Sequence, residues 1–480
     1  MAPISDDLVL NYHIMHPGGT SEPADPNGAF FSGNKYHLHY ILQHDFQFPY
    51  GLKKSYSFIH ITSENLLDWS WEKTTLQPSF TGHGMYSGTG FFTKSGEPAI
   101  IYHGESSGNN FLVVSRNPNL NSWDKPIPVQ LETPAHIQND RWDPDCFVID
   151  NLYYSISSGS QQNLFKSTDL YNWQYVGNFL ANEIDDVVYG EDISCPNFFK
   201  IDSKWILLCI SHSFGCRYYV GDWDSHSEQF IPTHHHRLNW PAHDSDLVNT
   251  ANRDFFAPES MVTEDNRRVM WAWLRDKSIS SLSIQSLPRE LSLLNNTHLA
   301  FNPLKELQSL RFENKLFNNI TITPKYARDS SYNFYKVMTI DYDAFEILLR
   351  IDSNQFHRKR FGVFLFCCDG YSGFQILFSR ESNCIHLGKK TIPFNFDLVS
   401  LKSIFDLRIF VDKYLIEVFF DGYSFGSAIY FDYVKGNDFF IYAYGKVLNI
   451  NTIEFWKLKR CNQGLLEARE NLIWQPDTST

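Results

Sequence analysis

Three acidic motifs in the sequence each stand directly before a short apolar run that is typical of a strand. They are Asp25-Pro-Asn-Gly, Asp143-Pro-Asp and Glu191-Asp192. Each motif alone is more typical of a turn than of a catalytic site, because Asp, Pro, Asn and Gly are the usual turn residues. Their shared position at strand starts predicts that one end of a sheet assembly brings the carboxyl groups together.

Carboxyl groups assembled in this way can cleave glycosidic bonds. Two that lie ~5–5.5 Å apart suit a retaining mechanism, in which one attacks the anomeric carbon and the other protonates the leaving oxygen. The attacking group must be ionised, whereas the acid must hold its proton near neutral pH, which burial and a nearby like charge favour. A third carboxylate can bind sugar hydroxyls more tightly as the ring flattens in the transition state.

The elements that position these groups are predicted to be strands, because short aromatic and β-branched runs separated by turns dominate the sequence. Tryptophans recur through the first part of the chain at spacings of 54, 50, 50 and 50 residues, at positions 69, 123, 173, 223 and 273. The first three share the pattern Asp/Asn-Leu-x-x-Trp. A period of ~40–50 residues in strand-rich sequence is typical of propeller blades. Residues 1–300 are therefore predicted to form a five-bladed β-propeller.

The repeat stops after Leu291, and a different pattern follows. Asn302 and Pro303 fit the first positions of a short helix, so residues 301–312 are predicted to form a helical linker. Beyond it, alternating strands and a hairpin turn predict a β-sandwich over residues 313–480. The predicted fold class is all-β, a five-bladed β-propeller followed by a C-terminal β-sandwich.

Composition narrows the classes of partner. The 480 residues include 54 Asp and Glu against 41 Lys and Arg, for a net charge of −13, and 16% are aromatic. Nucleic-acid binding and a polybasic membrane anchor are disfavoured because both need clustered basic residues. No apolar run reaches the ~18 residues of a membrane helix. No secretory signal is visible, so a cytoplasmic location is expected, with secretion as the alternative if a leader has been removed. Aromatic faces suit a sugar or oligosaccharide ligand. The oligomeric state is left open.

The order of motifs resembles glycoside hydrolase family 32, the group of β-fructofuranosidases, invertases and fructanases. The segments that carry the resemblance are His13 to Gly28, Tyr86-Ser-Gly-Thr-Gly90, Asp143-Pro144, Glu191 to Pro196, Asp254 to Met261, Leu287 to Leu291 and Leu407 to Phe420. The resemblance spans almost the whole chain. It implies the same propeller and sandwich that the repeat predicts, and a retaining glycosidase that needs no metal or organic cofactor.

Carried over residue by residue, the resemblance makes Asp25 the nucleophile, Asp143 the transition-state stabiliser and Glu191 the acid/base. The candidate substrate-binding residues are Asn27, Gln43, Tyr86, Ser87, Arg141, Trp142 and Asp192. Arg141 either binds sugar hydroxyls or neutralises neighbouring acids. Glu259 either lines the channel or is structural.

The chain departs from the family pattern at three places. Glu22-Pro-Ala24 replaces the usual Trp-Met-Asn before the nucleophile, Trp142 separates Arg141 from Asp143, and three residues separate Glu191 from Cys195, which makes Asp192 a rival acid. The expected activity is hydrolysis of β-fructofuranosidic bonds in sucrose, fructooligosaccharides or fructans. The alternatives are transfer of the fructosyl group to form new or cyclic fructosides, a non-catalytic carbohydrate-binding propeller, and cleavage of another furanoside such as arabinan.

Overall fold

The computed structural model describes residues 4–18, 22, 24–132, 134, 142–159, 161–240, 254–323, 333–357, 360–368, 372–445 and 447–479. Their secondary structure is dominated by strands that pair mostly antiparallel, which confirms the predicted all-β class. Among these residues, no helix has the length and apolar character needed to cross a membrane.

Five sheets follow one another between residues 26 and 303. The first comprises β1 (Pro26–Ser32), β2 (Lys35–Phe48), β3 (Gly51–Ser63) and β4 (Ser70–Trp71). The second comprises β5 (Met85–Phe92), β6 (Pro98–Gly104), β7 (Asn110–Val114) and β8 (Ile127–Pro128). The third comprises β9 (Gln130–Glu132), β10 (Asp145–Ile149), β11 (Leu152–Ser157), β12 (Asn163–Ser167) and β13 (Asn172–Asn178). The fourth comprises β14 (Ser194–Ile201), β15 (Lys204–Ser211), β16 (Gly215–Asp224) and β17 (Gln229–Arg237). The fifth comprises β18 (Phe255–Val262), β19 (Arg268–Leu274), β20 (Ile284–Gln285), β21 (Arg289–Asn295) and β22 (His298–Pro303).

Two six-stranded sheets follow these five. Their strands are β23 (Arg311–Ile322), β24 (Asn333–Thr339), β25 (Ala344–Asp352), β26 (Arg360–Cys367), β27 (Phe374–Ser379), β28 (Cys384–Leu387), β29 (Lys390–Pro393), β30 (Ile404–Asp412), β31 (Leu415–Phe420), β32 (Ser424–Ile429), β33 (Asp438–Tyr444) and β34 (Leu448–Leu458). The strand orders are β23-β34-β25-β30-β31-β32 and β24-β33-β26-β27-β28-β29. One apolar core, which includes Ile347, Val363 and Ile409, packs between them. This architecture is consistent with a propeller followed by a sandwich.

Helices are short and few in the described residues. The α-helices are α1 (Pro78–Thr81) and α2 (Gln463–Asn471). The 3₁₀ helices are Asp6–Leu8, Ser280–Leu282, Lys305–Leu310, Ser353–His357, Arg380–Ser382, Phe396–Leu401 and Phe431–Val434. The predicted linker helix is therefore a 3₁₀ turn that begins two residues after Pro303. Asn302 and Pro303 instead end β22, because they continue its pairing with Glu290 and Arg289.

The strands β1, β5, β10, β14 and β18 bring the five sheets together. Each contacts the next in this order, and β18 contacts β1, so the contacts form a cycle. A register shift interrupts β1, β5, β14 and β18 near its start, at residues 27–28, 86–87, 195–196 and 257–258. Such bulges redirect side chains from the regular alternation of a strand. The shifts in β1 and β5 fall on the Asp25-Pro-Asn-Gly motif and on Tyr86-Ser87, the shift in β14 follows Glu191-Asp192 by three residues, and the shift in β18 lies beside Glu259.

A buried carboxyl group links three of these strands. Glu259 Oε1 accepts hydrogen bonds from the backbone N–H groups of Gly28, Ala29 and Gly90 at 3.1, 3.2 and 3.3 Å. Its Oε2 accepts a 3.4 Å hydrogen bond from Asn197 Nδ2 in β14. Burial raises the pKa of Glu259 well above its usual range. Of the two roles expected for Glu259, the contacts favour the structural one.

The tryptophan repeat marks a recurring turn. The indole N–H groups of Trp69 and Trp173 donate to the carbonyls of Leu66 and Leu170 at 3.1 and 2.7 Å, and both leucines have positive φ angles of 67° and 73°. Trp123 is buried in the same position of the second sheet. The later tryptophans differ, because those at positions 223 and 273 lie inside β16 and β19. The repeat is therefore a local turn in three sheets rather than in five.

A buried network of charged groups joins the sandwich sheets to the preceding part of the chain. Asp412 in β30 accepts hydrogen bonds from the backbone N–H groups of Tyr12 and His13 at 2.9 and 3.2 Å. Glu417 in β31 pairs with His13 Nε2 at 3.1 Å and with the Arg289 guanidinium. The side chains of His13, Arg289, Asp412 and Glu417 are all inaccessible to solvent.

The segment 463–479 leaves the sandwich and packs on the first sheet. Helix α2 contacts β4. The Trp474 carbonyl accepts a 2.5 Å hydrogen bond from Thr74 Oγ1, and its buried ring lies edge-on to His16 at 4.5 Å. Residues near both ends of the chain therefore pack together.

Candidate active site

Asp25 directly precedes β1 and is 8% exposed. Ser87 Oγ, in the bulge of β5, donates a 2.8 Å hydrogen bond to Asp25 Oδ2, whereas Oδ1 has no hydrogen-bond partner among the described residues. The neighbouring backbone is also held, since Gln285 Nε2 donates to the Ala24 carbonyl at 2.6 Å and Asn27 Nδ2 donates to the Asp25 carbonyl at 2.5 Å. The carboxyl group is therefore fixed in orientation, with one oxygen engaged and the other not.

Opposing effects set the pKa of Asp25, which is raised to about 6. Burial is the largest cause, because it disfavours the charged carboxylate, and the nearby charge of Asp143 acts in the same direction. The hydrogen bond from Ser87 and the positive charges of Arg275 and His212 lower the pKa. Asp25 is therefore ionised above about pH 6 while staying largely out of water.

Asp143 stands before β10 with a positive φ of 43° and is buried. Ser158 Oγ donates a 2.6 Å hydrogen bond to its carbonyl, and the Cys195 thiol lies 3.6 Å from Oδ2. Burial raises the pKa of Asp143, and the charge of His212 opposes that rise. Asp25 and Asp143, which are far apart in sequence, thus share one buried region and act on each other electrostatically.

Glu191 is engaged elsewhere. Its side chain is inaccessible and accepts hydrogen bonds from Arg237 Nη1 and Nη2 at 2.7 and 2.8 Å, and Arg217 Nη1 lies 3.0 Å from Oε1. Burial alone would raise its pKa, but Arg237 and Arg217 outweigh that effect and lower it. Glu191 also lines a cavity that includes Tyr189 and Tyr219 and has neither Asp25 nor Asp143 in its lining. This geometry disfavours the acid role that the family resemblance gives to Glu191.

Asp192 lies in a different arrangement from its neighbour. Asp192 Oδ2 is 2.7 Å from His212 Nδ1, and Oδ1 accepts a 3.0 Å hydrogen bond from the His212 backbone N–H. Ser194 Oγ donates to Oδ2 at 2.9 Å, and Arg217 donates to the Asp192 carbonyl at 2.6 Å. His212 follows β15 and carries no recognisable sequence motif. A polar residue directly after an apolar strand is the only signal that could have indicated it.

The other predicted binding residues divide between the site and its surroundings. Tyr86 packs between His103, at a ring distance of 6.1 Å with parallel planes, and Tyr56 at 4.8 Å. Gln43 Nε2 donates a 2.7 Å hydrogen bond to the Tyr56 hydroxyl, so Gln43 joins this aromatic group through Tyr56. Asn27 bridges two strands, because its Oδ1 accepts a 2.9 Å hydrogen bond from the Gly88 N–H.

Trp142 is 38% exposed, and its indole N–H donates a 3.3 Å hydrogen bond to Ser194 Oγ. It is therefore an exposed aromatic surface beside Ser194, whose hydroxyl also donates to Asp192. Arg141 lies outside the described residues. A cation that no motif indicated is Arg275, which stacks over Phe256 at 5.1 Å and acts on Asp25. Among the described residues, no group of three or more His, Cys, Asp or Glu is placed to hold a metal ion.

Comparison with known proteins decides the family. Residues 15–303 match the model of the "Glycosyl hydrolases family 32 N-terminal domain", which is more than half of the chain. The chain belongs to glycosyl hydrolases family 32. A levanase of Bacillus subtilis is 26% identical over 450 residues, and the match covers 82% of this chain and 62% of the levanase. This family-32 chain thus spans less than two thirds of the length of that relative.

Further relatives agree on the family. A sucrose-6-phosphate hydrolase of Bacillus subtilis is 25% identical over 352 residues, covering 65% of this chain and 68% of that enzyme. The crystal structure of fructan 1-exohydrolase IIa from Cichorium intybus superposes with a TM-score of 0.73 at 19% identity, over 95% of this chain and 98% of that one. A variant of that exohydrolase has been solved in complex with 1-kestose. At this identity the structural likeness shows the fold alone.

Proposed function

We propose that this family-32 chain is a retaining glycosidase that hydrolyses β-fructofuranosidic bonds in sucrose, fructooligosaccharides or fructans. The observation that carries the proposal is the buried pair Asp25 and Asp143, which two different sheets bring together beside the Ser87 hydroxyl. The activities that give the levanase and the sucrose-6-phosphate hydrolase their names support the substrate class.

In the proposed mechanism, the Asp25 carboxylate attacks the anomeric carbon of the fructosyl unit and forms a covalent ester. The bond from that carbon to the glycosidic oxygen breaks, and the leaving oxygen takes a proton from an acid group of the site. The Asp25 pKa of about 6 keeps the attacking carboxylate ionised near neutral pH. Asp143 stabilises the transition state, because a fixed carboxylate can hold sugar hydroxyls and offset the positive charge that develops on the ring. Water then releases fructose with the configuration of the substrate.

We also infer that the five sheets are the blades of a five-bladed propeller that ends with β22 at Pro303, followed by a short linker and by the sandwich, which begins with β23 at Arg311. The cycle of contacts among β1, β5, β10, β14 and β18 supports this reading. A propeller gathers the strand starts of all blades at one end, where the two carboxyl groups lie.

A single nucleophile variant tests the activity. Asp25→Asn should lower kcat for sucrose and 1-kestose by on the order of 10³-fold or more, because no carboxylate remains to form the ester. Product NMR in the first minutes should show β-fructofuranose from the unaltered protein. Asp45→Asn, which changes an exposed aspartate of β2 paired with Lys54, is the matched control and should leave kcat within error.

The same assays separate the alternatives. Trisaccharide formation at high sucrose concentration would indicate fructosyl transfer. Sugar binding without turnover, unchanged by Asp25→Asn, would indicate a carbohydrate-binding propeller and would contradict the proposal, as would cleavage of arabinan instead of fructosides.

A further inference from the structure

The Asp143-Pro-Asp motif contains a second carboxyl group that the proposed reaction does not use. Asp145 is 3% exposed and begins β10. Its Oδ1 accepts hydrogen bonds from Thr89 Oγ1 at 2.7 Å and from the Cys146 N–H at 2.8 Å. Its Oδ2 accepts a 2.7 Å hydrogen bond from the Phe198 N–H. A buried carboxylate that accepts three short hydrogen bonds is fixed in place.

The partners of Asp145 lie on the strands at either side of β10. Thr89 belongs to β5 and Phe198 to β14, and β10 lies between these two strands in the cycle of contacts. The strands β5 and β14 also contact each other. The Asp145 carboxylate therefore fixes the spacing of three of the five strands that meet around the site.

The same three strands carry the groups that surround the proposed catalytic pair. Ser87, which donates to Asp25, lies in β5 two residues before Thr89. Cys195, whose thiol lies 3.6 Å from Asp143 Oδ2, belongs to β14. Asp143 itself directly precedes the segment that begins β10. The spacing of β5, β10 and β14 therefore decides how Ser87 and Cys195 meet the two carboxyl groups.

Asp143 is held in a backbone conformation that aspartate rarely adopts. Its φ is 43°, in the left-handed region. Ser158 Oγ donates to the Asp143 carbonyl at 2.6 Å, and Pro144 restricts the chain that follows. Asp145 then anchors the end of this three-residue segment to β5 and β14. A strained residue persists only when its surroundings fix it, and Asp145 supplies the contacts to the neighbouring strands.

Four successive residues of β5 each donate one hydrogen bond to a side chain at another of the five strands. The donor–acceptor pairs are Ser87–Asp25, Gly88–Asn27, Thr89–Asp145 and Gly90–Glu259, at 2.8, 2.9, 2.7 and 3.3 Å. Three of the acceptors lie in or beside β1 and β18. Asp145 is the acceptor that draws β5 towards β10. Without it, these four residues would be held from one side.

We propose that Asp145 is a positioning residue of the reaction, which sets the spacing of β5, β10 and β14 and thereby the arrangement of Ser87, Asp25 and Asp143. The inference rests on the glycosidase function proposed above and deepens it. Asp145 acts through its neighbours rather than on the sugar. A misplacement of about 1 Å, even by a change away from the reacting atoms, can cost roughly 10²-fold in rate.

The charge of Asp145 suits this part. Burial raises the pKa of Asp145 to about 6, and the hydrogen bonds that it accepts and the charge of Arg268 oppose that rise. Asp145 is therefore an ionised acceptor above about pH 6. Asparagine at this position keeps one oxygen but presents an N–H group in place of the other, so at least one hydrogen bond is lost.

Substitutions of Thr89 test the positioning role without changing a carboxyl group. Thr89→Val has nearly the same shape but no donor, and should lower kcat on 1-kestose by about 10–100-fold with KM within about threefold. Thr89→Ser keeps the hydroxyl and should retain kcat within about threefold of the unaltered protein. Thr93→Val, which removes a buried hydroxyl that bonds Glu97 in the turn after β5, is the matched control and should leave kcat unchanged.

Asp145→Asn tests the same contact from its other side. It should lower kcat on 1-kestose over the same range as Thr89→Val. The double variant should lose less than the product of the two single losses, because both substitutions break one shared contact.

A second measurement does not depend on turnover. In protein labelled with ¹³C at the aspartate carboxyl groups, the NMR signal of Asp25 is the one missing from Asp25→Asn. Its titration should move to higher pH in Thr89→Val but not in Thr89→Ser, because a displaced Ser87 no longer stabilises the carboxylate. In the Ser87→Ala background, Thr89→Val should shift the titration no further.

Unfolding midpoints separate a positioning role from a purely structural one. If Thr89→Val and Asp145→Asn lower the midpoint but leave kcat within about threefold and the Asp25 titration of Thr89→Val in place, Asp145 is structural and the inference is overturned. An undiminished shift in the Ser87→Ala background would reject the route through Ser87. If the unaltered protein cleaves neither sucrose nor 1-kestose, the proposed function fails, and the Asp25 titration still decides the inference.

Discussion

At the scale of single residues, one hydroxyl group changes the pKa of Asp25, the proposed attacking carboxylate. Ser87 donates the hydrogen bond that most strongly opposes the effect of burial on Asp25. The two residues lie on different sheets, so the reactivity of Asp25 depends on how β1 and β5 meet.

Ser87→Ala should therefore shift the acid limb of the kcat/KM profile to higher pH. Asp25 must be ionised, its folded-state pKa is about 6, and loss of the hydrogen bond raises that pKa further, so activity is lost earlier as pH falls. Initial rates from pH 4 to 8 would measure the shift. Ser95→Ala, which removes a serine that donates to Glu97 in the turn after β5, should leave the profile unchanged. An unchanged limb in Ser87→Ala would show that the Ser87 hydrogen bond does not influence the Asp25 pKa.

An Asp-Pro pair before an apolar run predicts a residue at the start of a strand. Asp25 and Asp143 both lie at such positions in the structure. The motifs did not predict the surroundings of Glu191 and Asp192. The three residues between Glu191 and Cys195 let the chain turn so that Asp192, rather than Glu191, hydrogen-bonds Ser194 at the start of β14. The positions of these two carboxyl groups depend on the arginines and the histidine of the neighbouring strands. Those residues lie outside the motif, so the motif alone could not predict the positions.

At the scale of elements, the bulges in the strands orient the side chains of the site. The bulges in β1, β5 and β14 each fall within two residues of a group that contacts or supports Asp25 or Asp143. Cys195 and Ala257 adopt positive φ angles of 45°, which their residue types do not favour. Strand content could be predicted from aromatic runs, but these bulges could not, because tertiary contacts impose them.

Glu259→Ala should destabilise the protein strongly. It would leave the backbone N–H groups of Gly28, Ala29 and Gly90 buried without an acceptor, at about 1–3 kcal/mol for each unsatisfied group. Urea unfolding would measure the loss. Glu259→Gln retains an oxygen acceptor and should lose less than half as much, while Glu264→Ala, at an exposed position, should lose under about 0.5 kcal/mol. Equal losses for Ala and Gln would contradict the acceptor role.

At the scale of the whole molecule, buried charges hold the sandwich against the sheets that carry the site. Glu417 lies between His13, which comes before the first sheet, and Arg289 in the fifth. A residue before the first sheet and a residue in the fifth sheet therefore contact the same carboxylate. The different periodicities of the two parts of the sequence indicated the two architectures. No local pattern could predict contacts between residues that are roughly 130 to 400 positions apart.

Glu417→Gln should lower the free energy of unfolding by about 3–5 kcal/mol, because it leaves the Arg289 charge buried without its partner. Chemical unfolding followed by tryptophan fluorescence would measure it. Glu454→Gln removes a partly exposed pair with Arg350 and should cost under about 1 kcal/mol. Comparable losses in the two variants would show that the buried network contributes little.

The return of residues 463–479 to the first sheet bears on biosynthesis. Trp474 packs on His16 and its carbonyl accepts a hydrogen bond from Thr74, so the sheet that carries Asp25 gains these neighbours only after the ribosome has made the whole sandwich. The Asp25 site should consequently be completed only after the sandwich has been synthesised, and a ribosome stalled within the sandwich would display an unfinished site.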